Sequence, residues 1–153
     1  MAIEPTIDIL GLDSLRYLIS RFGIKLKLHE GLLENIAQYA IFRIKKRTSA
    51  GEDVDGRDFI PYSDKYSLIR QEYGRPTNKV DLFFTGSMMG AITSDISDEQ
   101  VVLYFMNTSD SSNTRNPLKA FFLNESRHFF ALSEEDIKGI EDIVNKFVKN
   151  SLR

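Results

Sequence analysis

The chain has 153 residues, 20 Lys and Arg against 22 Asp and Glu, a formal net charge of −2 and an apolar fraction of 42%. That length suits one domain with a buried core, and the charge balance argues against a disordered chain or a dedicated nucleic-acid binder. With no cysteine and only His29 and His128, disulfides, cysteine-based zinc sites and thiol nucleophiles are excluded, and a histidine-rich metal centre is not expected.

The opening stretch, Met1 to Leu10, lacks a basic lead and carries Glu4 and Asp8, so a secretory leader is not expected. No apolar run approaches the roughly 20 residues that cross a bilayer. The reading is a soluble chain made in the cytosol, with no membrane partner. Leu12, Leu15, Leu18 and Ile19 recur at helical spacing before a stop at Phe22-Gly23, and Ile24 to Leu28 alternates like a strand. From Glu30 to about Arg47 a helix is predicted, with Leu33, Ile36, Ala37, Ala40, Ile41 and Ile44 forming one apolar stripe. Its last turn carries Arg43, Lys45, Lys46 and Arg47, where cations suit the negative end of the helix dipole.

A long loop, about residues 49–80, is predicted next. Ser49 to Gly56 is turn chemistry, Phe59-Ile60-Pro61-Tyr62 should be extended before its proline, and Ser63 to Tyr73 can make one or two helical turns. A connection this long inside a compact domain is uncommon and is often functional.

In the second half, Val80 to Phe84, Ala91 to Ile96 and Gln100 to Met106 read as strands, the last two forming a hairpin across Ser97-Asp98-Glu99. The polar run between Met106 and Asn116 reads as a mobile loop, and Pro117 opens a short apolar segment, Leu118 to Leu123. Ser133 is a natural N-cap with Asp136 placed to return the bond. Ile137, Ile140, Val144, Phe147 and Val148 then share one face of a final helix. The whole chain, 1–153, is predicted to be a single α+β domain: a small antiparallel sheet packed with N-terminal and C-terminal helices, plus a long protruding loop.

No motif points to catalysis. Asp53-Val54-Asp55-Gly56-Arg57-Asp58 fails as a calcium loop, because Arg57 occupies a ligand position and Asp64 stands where the bidentate glutamate belongs. Gly86-Ser87-Met88-Met89-Gly90 lacks the spacing of a nucleophile elbow. His128 could act as a base only with a carboxylate brought to it by the fold. The basic cluster at Arg43, Lys45, Lys46 and Arg47 supports an alternative reading, a basic-patch nucleic-acid-binding module, beside the plainer one of a solvated helix end. Phe121, Phe122, Phe129 and Phe130 divide between core packing and interface anchoring.

The order of short motifs goes further. A helix ends in Arg43-Ile44-Lys45-Lys46-Arg47-Thr48, followed by the Asp53 to Gly56 turn, Phe59, Pro61-Tyr62 and the basic, tyrosine-bearing Lys65 to Arg70. Thr85-Gly86-Ser87-Met88-Met89-Gly90-Ala91-Ile92 comes next, and Arg127-His128-Phe129-Phe130-Ala131-Leu132-Ser133 leads into the last helix. From about Leu32 to Leu152 this order resembles the phage virion-morphogenesis and tail-completion proteins of the head–tail neck. The chain departs from the family's pattern in having Glu125-Ser126 where many relatives carry a proline near the late arginine. It also has Lys119 to Asn124 in place of the family's Ala-x-x-His-Gln-x-Gly stretch.

The resemblance implies a non-enzymatic structural virion protein without cofactor, assembled in the host bacterial cytoplasm as a ring subunit, typically hexameric. Its implied partners are itself, the tail tube protein and the head–tail connector, with DNA passing transiently through the lumen. On this reading Phe59, Tyr62 and Tyr66 anchor the loop on a neighbour, and Thr85, Gly86 and Met88 form a tight turn into the sheet. Arg127 holds the entry to the final helix, Phe129 and Phe130 join the interface, and Arg43, Lys45, Lys46 and Arg47 face the lumen.

Overall fold

The computed structural model describes residues 4–9, 29–97 and 100–151. The predicted helix around Leu12 to Ile19 and strand at Ile24 to Leu28 lie outside the described residues. The first long helix, α1 (His29–Ala50), buries Leu32, Leu33, Ile36, Ala37, Ala40 and Ile44. Each large aliphatic side chain removed from water in this way contributes roughly 1.5–3 kcal/mol.

The helix outruns the predicted end by a turn's remainder, through Thr48, Ser49 and Ala50. It stops at Gly51, whose φ of 88° only glycine adopts at low cost. Gly51 N–H donates to Thr48 O at 3.0 Å and Glu52 N–H to Arg47 O at 3.2 Å, the paired bonds of a Schellman cap.

The sheet has three strands in the order β1-β3-β2, all antiparallel: β1 (Ile7–Ile9), β2 (Ile92–Ser97) and β3 (Gln100–Phe105). Its central strand β3 buries Val101, Leu103 and Phe105 on alternate positions, the expected period-two face. The hairpin register pairs Ile92 with Phe105 and Ile96 with Val101. The other helices are α2 (Asp64–Glu72), a single turn α3 (Ser87–Gly90), α4 (Asn116–Arg127) and α5 (Glu134–Ser151). Helix α1 packs along α5 and across β2 and β3, so the fold is a small antiparallel sheet covered by helices, an α+β architecture.

Four sequence expectations change. Val80 to Phe84 is not a strand: Val80 and Leu82 are buried alternately, but Leu82 has φ 52° and the chain bends around Arg70 instead of joining a ladder. Leu118 to Leu123 belongs to α4, with Pro117 in its first turn, where a missing N–H costs nothing. The 106–116 stretch is tied back by a bridge between Ser109 and Arg115 and by Asn116 N–H to Thr108 O at 2.7 Å. Finally Ile137 is outward, 48% exposed, because Asp136, Ile140, Val144 and Val148 at four-residue spacing form the buried face.

Candidate protein-contact surface

Residues 59–84 leave the body as an arm whose two ends are fixed in the core by Phe59 at one side and Val80 and Leu82 at the other. Ser63 opens α2, its hydroxyl accepting from Tyr66 N–H at 3.3 Å. That helix turns Arg70 inward, leaving it 1% exposed. Arg70 Nε donates to Pro76 O at 2.9 Å, Nη1 to Phe83 O at 2.8 Å and Nη2 to Asp81 Oδ1 at 3.2 Å. The guanidinium also stacks 4.5 Å from the Tyr62 ring centroid and 6.0 Å from that of Tyr66, a cation–π arrangement favoured when the charge is desolvated.

Around this charge the aromatic side chains form a continuous layer. Tyr62 and Tyr66 meet edge to face at 5.1 Å, Tyr66 and Phe84 lie 6.3 Å apart, and Phe84 and Tyr73 5.4 Å. Tyr62 hydroxyl donates to Asp81 Oδ1 at 3.3 Å and accepts from Leu82 N–H at 3.2 Å. Burial raises the Tyr62 phenol above its ordinary pKa, with the charge of Arg70 pulling the other way. Outward from this layer stand Ile60, Leu68, Ile69, Tyr73 and Phe83, the last beneath Arg75 at 5.5 Å. The remaining exposed large apolar side chains among the described residues, Phe42, Met106, Phe122 and Ile137, are scattered over the body.

A second charged centre joins α1 to α5. Asp136 is fully buried and accepts from Arg43 Nε at 2.7 Å, Arg47 Nη1 at 2.6 Å and Ser133 N–H at 3.0 Å. Asp136 N–H returns a bond to Ser133 Oγ at 3.1 Å, completing the predicted cap. Burial opposes its ionisation, but the bonds from Arg43, Ser133 and Arg47 outweigh that and hold the carboxyl below its usual range. The same bond raises the Arg43 pKa.

These contacts redistribute the predicted site. Phe59, Met88, Phe129 and Phe130 are buried, the last two against Phe105 at ring distances of 6.3 and 4.6 Å, so they offer no surface to a neighbour in this conformation. Tyr62 and Tyr66 are half-buried members of the arm's aromatic layer. Gly86, at φ 83°, starts the turn into β2, while Thr85 Oγ1 accepts from Ser87 N–H at 3.2 Å and donates to Asp110 at 3.4 Å. Lys119 and Ser112 hold the Asp110 carboxyl well below the usual range. Arg127 does not hold the entry to the final helix; it reaches Ile60 O at 3.4 Å and the Tyr62 ring at 5.7 Å.

Arg47 holds that entry instead, donating to Ala131 O at 2.6 Å as well as to Asp136. Arg43 and Arg47 are therefore not free cations, since both are engaged by Asp136. Lys46 is exposed over the Phe42 ring at 5.9 Å, and Lys45 is half-buried.

The other candidate motifs take structural roles. Asp53 Oδ1 accepts from the N–H groups of Asp55 and Arg57, both at 2.9 Å, so the acidic turn closes on its own backbone. Ser87 Oγ accepts from Asn116 Nδ2 at 2.9 Å, and His128 ends α4 in a left-handed conformation, φ 30°. Among the described residues no cluster of His, Asp and Glu is arranged to hold a metal ion, and no helix is long and apolar enough to cross a membrane.

Sequence reasoning missed Asp81 and the interior roles of Arg70, Arg43 and Arg47, although it named all three arginines. Arg70 sits in a polar segment with no periodic signal, Asp81 sits inside the expected strand, and the basic end of α1 reads equally well as a solvated helix terminus. Compared with protein-family models, curated proteins and solved structures, the chain matches none.

Proposed function

We propose that the chain is a structural subunit of the head–tail neck of a tailed bacteriophage, completing the tail end as a ring and joining it to the head connector. The motif order from the basic helix end to the Arg127–Ser133 segment supports this reading, and the arm supplies a physical means for it. The single observation that carries it is the concentration of exposed apolar side chains, Ile60, Leu68, Ile69, Tyr73 and Phe83, on one segment already shaped around Arg70. Tyrosine, phenylalanine and arginine are the residues that dominate protein interfaces, and rigid aromatics are ordered at low entropic cost.

A head-to-tail contact between identical subunits closes into a ring when its rotation allows, repeating one modest interface around the axis. The arm of each copy is the element assigned to the next copy, with the tail tube protein and the connector as axial partners. The test is the mass of the purified protein in solution, alone and mixed with a tail tube protein, for the parent chain and Tyr73→Ala. Tyr73 is 68% exposed and its ring meets Phe84 at 5.4 Å, so its truncation should cost about 0.5–1.5 kcal/mol and leave the chain folded while weakening assembly at least about tenfold. A parent chain that stays monomeric in both conditions, or a Tyr73→Ala variant that assembles undiminished, refutes the respective half of the proposal.

A further inference from the structure

From residue 60 to residue 79 the only buried residue is Arg70. The stretch therefore has no fully buried apolar side chain of its own, only the half-buried rings of Tyr62 and Tyr66, and much of the energy that usually orders a segment of this length is absent. What fills the interior is one guanidinium. Its hydrogen-bond partners, Pro76, Asp81 and Phe83, and its stacking partners, Tyr62 and Tyr66, all lie within the arm. Arg75 N–H closes α2 onto Arg70 O at 2.8 Å, so the residue ties the helix to the returning chain through backbone as well as side chain. Towards the body, the arm is joined by Phe59 N–H to Gly51 O at 2.8 Å, by Arg127 to Ile60 O and to the Tyr62 ring, by Tyr62 packing on the core and by the buried side chains at its two ends.

We infer that residues 60–79 form a separately melting unit that Arg70 latches onto Asp81 and Phe83, so that the arm can open and close while the α1–α5–sheet body, with Val80 and Leu82 in its core, stays folded. A buried charge with its partners in one short segment makes such a unit cooperative: loss of any tie exposes the guanidinium to water and removes the reason for the rest to stay ordered. When the latch opens, α2 no longer holds Tyr66 and Tyr73 against Phe84, and the outward aromatic face is lost with it. The arm is thus an order–disorder element independent of which partner meets it, and independent of the neck assignment.

The experiment is native-state hydrogen exchange on the full chain, comparing the parent with Arg70→Met and Arg70→Lys. In the parent, the amides of Ser67, Tyr73, Arg75 and Leu82, bonded within the arm, should exchange faster than those of Ile36 to Ile44 and Val101 to Phe105. In Arg70→Met the arm amides should speed up by at least about tenfold, the effect of losing charge-assisted bonds, with the body amides unchanged. Arg70→Lys, which keeps the charge but not the three-way fork, should fall between the two. Equal acceleration of arm and body, no acceleration of either, or failure of both variants to fold would each overturn the inference. Failure of Arg70→Met alone leaves Arg70→Lys to decide by the same comparison.

Discussion

Replacing Asp136 tests whether the α1–α5 junction is held by charge. Its carboxylate is wholly buried and takes bonds from Arg43 at 2.7 Å, Arg47 at 2.6 Å and Ser133 N–H at 3.0 Å. Asp136→Ala leaves Arg47, whose side chain is 9% exposed, buried without its counter-charge. Breaking a buried pair from one side costs about 3–5 kcal/mol, a large part of the roughly 5–15 kcal/mol that separates a folded domain from its unfolded chain.

The neighbouring pair between Arg43 and Glu135 is an internal control: it is just as short, 2.7 Å, but the Glu135 side chain is 79% exposed. Glu135→Ala should therefore cost less than about 1 kcal/mol. Urea unfolding followed by circular dichroism at neutral pH measures both. The folded carboxyl of Asp136 is held below its ordinary pKa, so its contribution is complete above the unfolded value near ~4 and is lost as pH falls through the lower folded value. The gap between the parent and Asp136→Asn should accordingly narrow on acidification below about pH 4. A loss under about 1 kcal/mol for Asp136→Ala, or a gap that does not change with pH, would refute the reasoning.

Two glycine substitutions probe close approaches. Gly139 lies inside α5, where alanine ordinarily stabilises a helix by about 0.5–1 kcal/mol, but a Cβ there would overlap the Tyr39 ring and hydroxyl of α1. Gly139→Ala should destabilise the protein, and the same change in a Tyr39→Ala background should be neutral or stabilising, as a double-mutant cycle of melting free energies would report. Gly86→Ala meets the Phe83 ring at 2.7 Å and keeps φ at 83°. It should cost about 1–3 kcal/mol, of which Phe83→Ala restores only part, because the backbone strain remains.

The body of the fold was legible because apolar periodicity reports burial directly. The α1 stripe, the β2–β3 hairpin and the Ser133–Asp136 cap all stand where spacing put them. Val80 to Phe84 misled for the same reason. It alternates and does bury Val80 and Leu82, but ladder pairing depends on what lies beside a strand, and here the neighbour is a guanidinium that draws in the carbonyl of Phe83. Ile137 reads as inward because it shares helical spacing with Ile140, Val144 and Val148, while Asp136 reads only as a cap residue. Ile137 is outward because two arginines ninety residues away in sequence make Asp136 the better interior residue. Of the contact surface, Tyr62 and Tyr66 are legible as loop anchors, whereas Tyr73, at the end of the expected helical turns, and Phe83 and Phe84, inside the expected strand, carry no sign that they extend the layer.

The two buried arginine centres divide the labour of the chain. Arg43 and Arg47 neutralise Asp136 and tie the first turn of α5 to the last turns of α1, so that cluster serves the body. Arg70 neutralises Asp81 within the arm and serves a segment with no fully buried apolar side chain. A body fixed by one centre and an arm shaped by another can respond separately to mutation or to a neighbour, because no hydrogen bond of either arginine group reaches the other's acid. On the proposed neck reading, a subunit would have to fold alone and then meet copies of itself, and this separation would suit it. The body would then be stable before assembly, while the arm proposed to meet the next copy stays adjustable through a single buried charge.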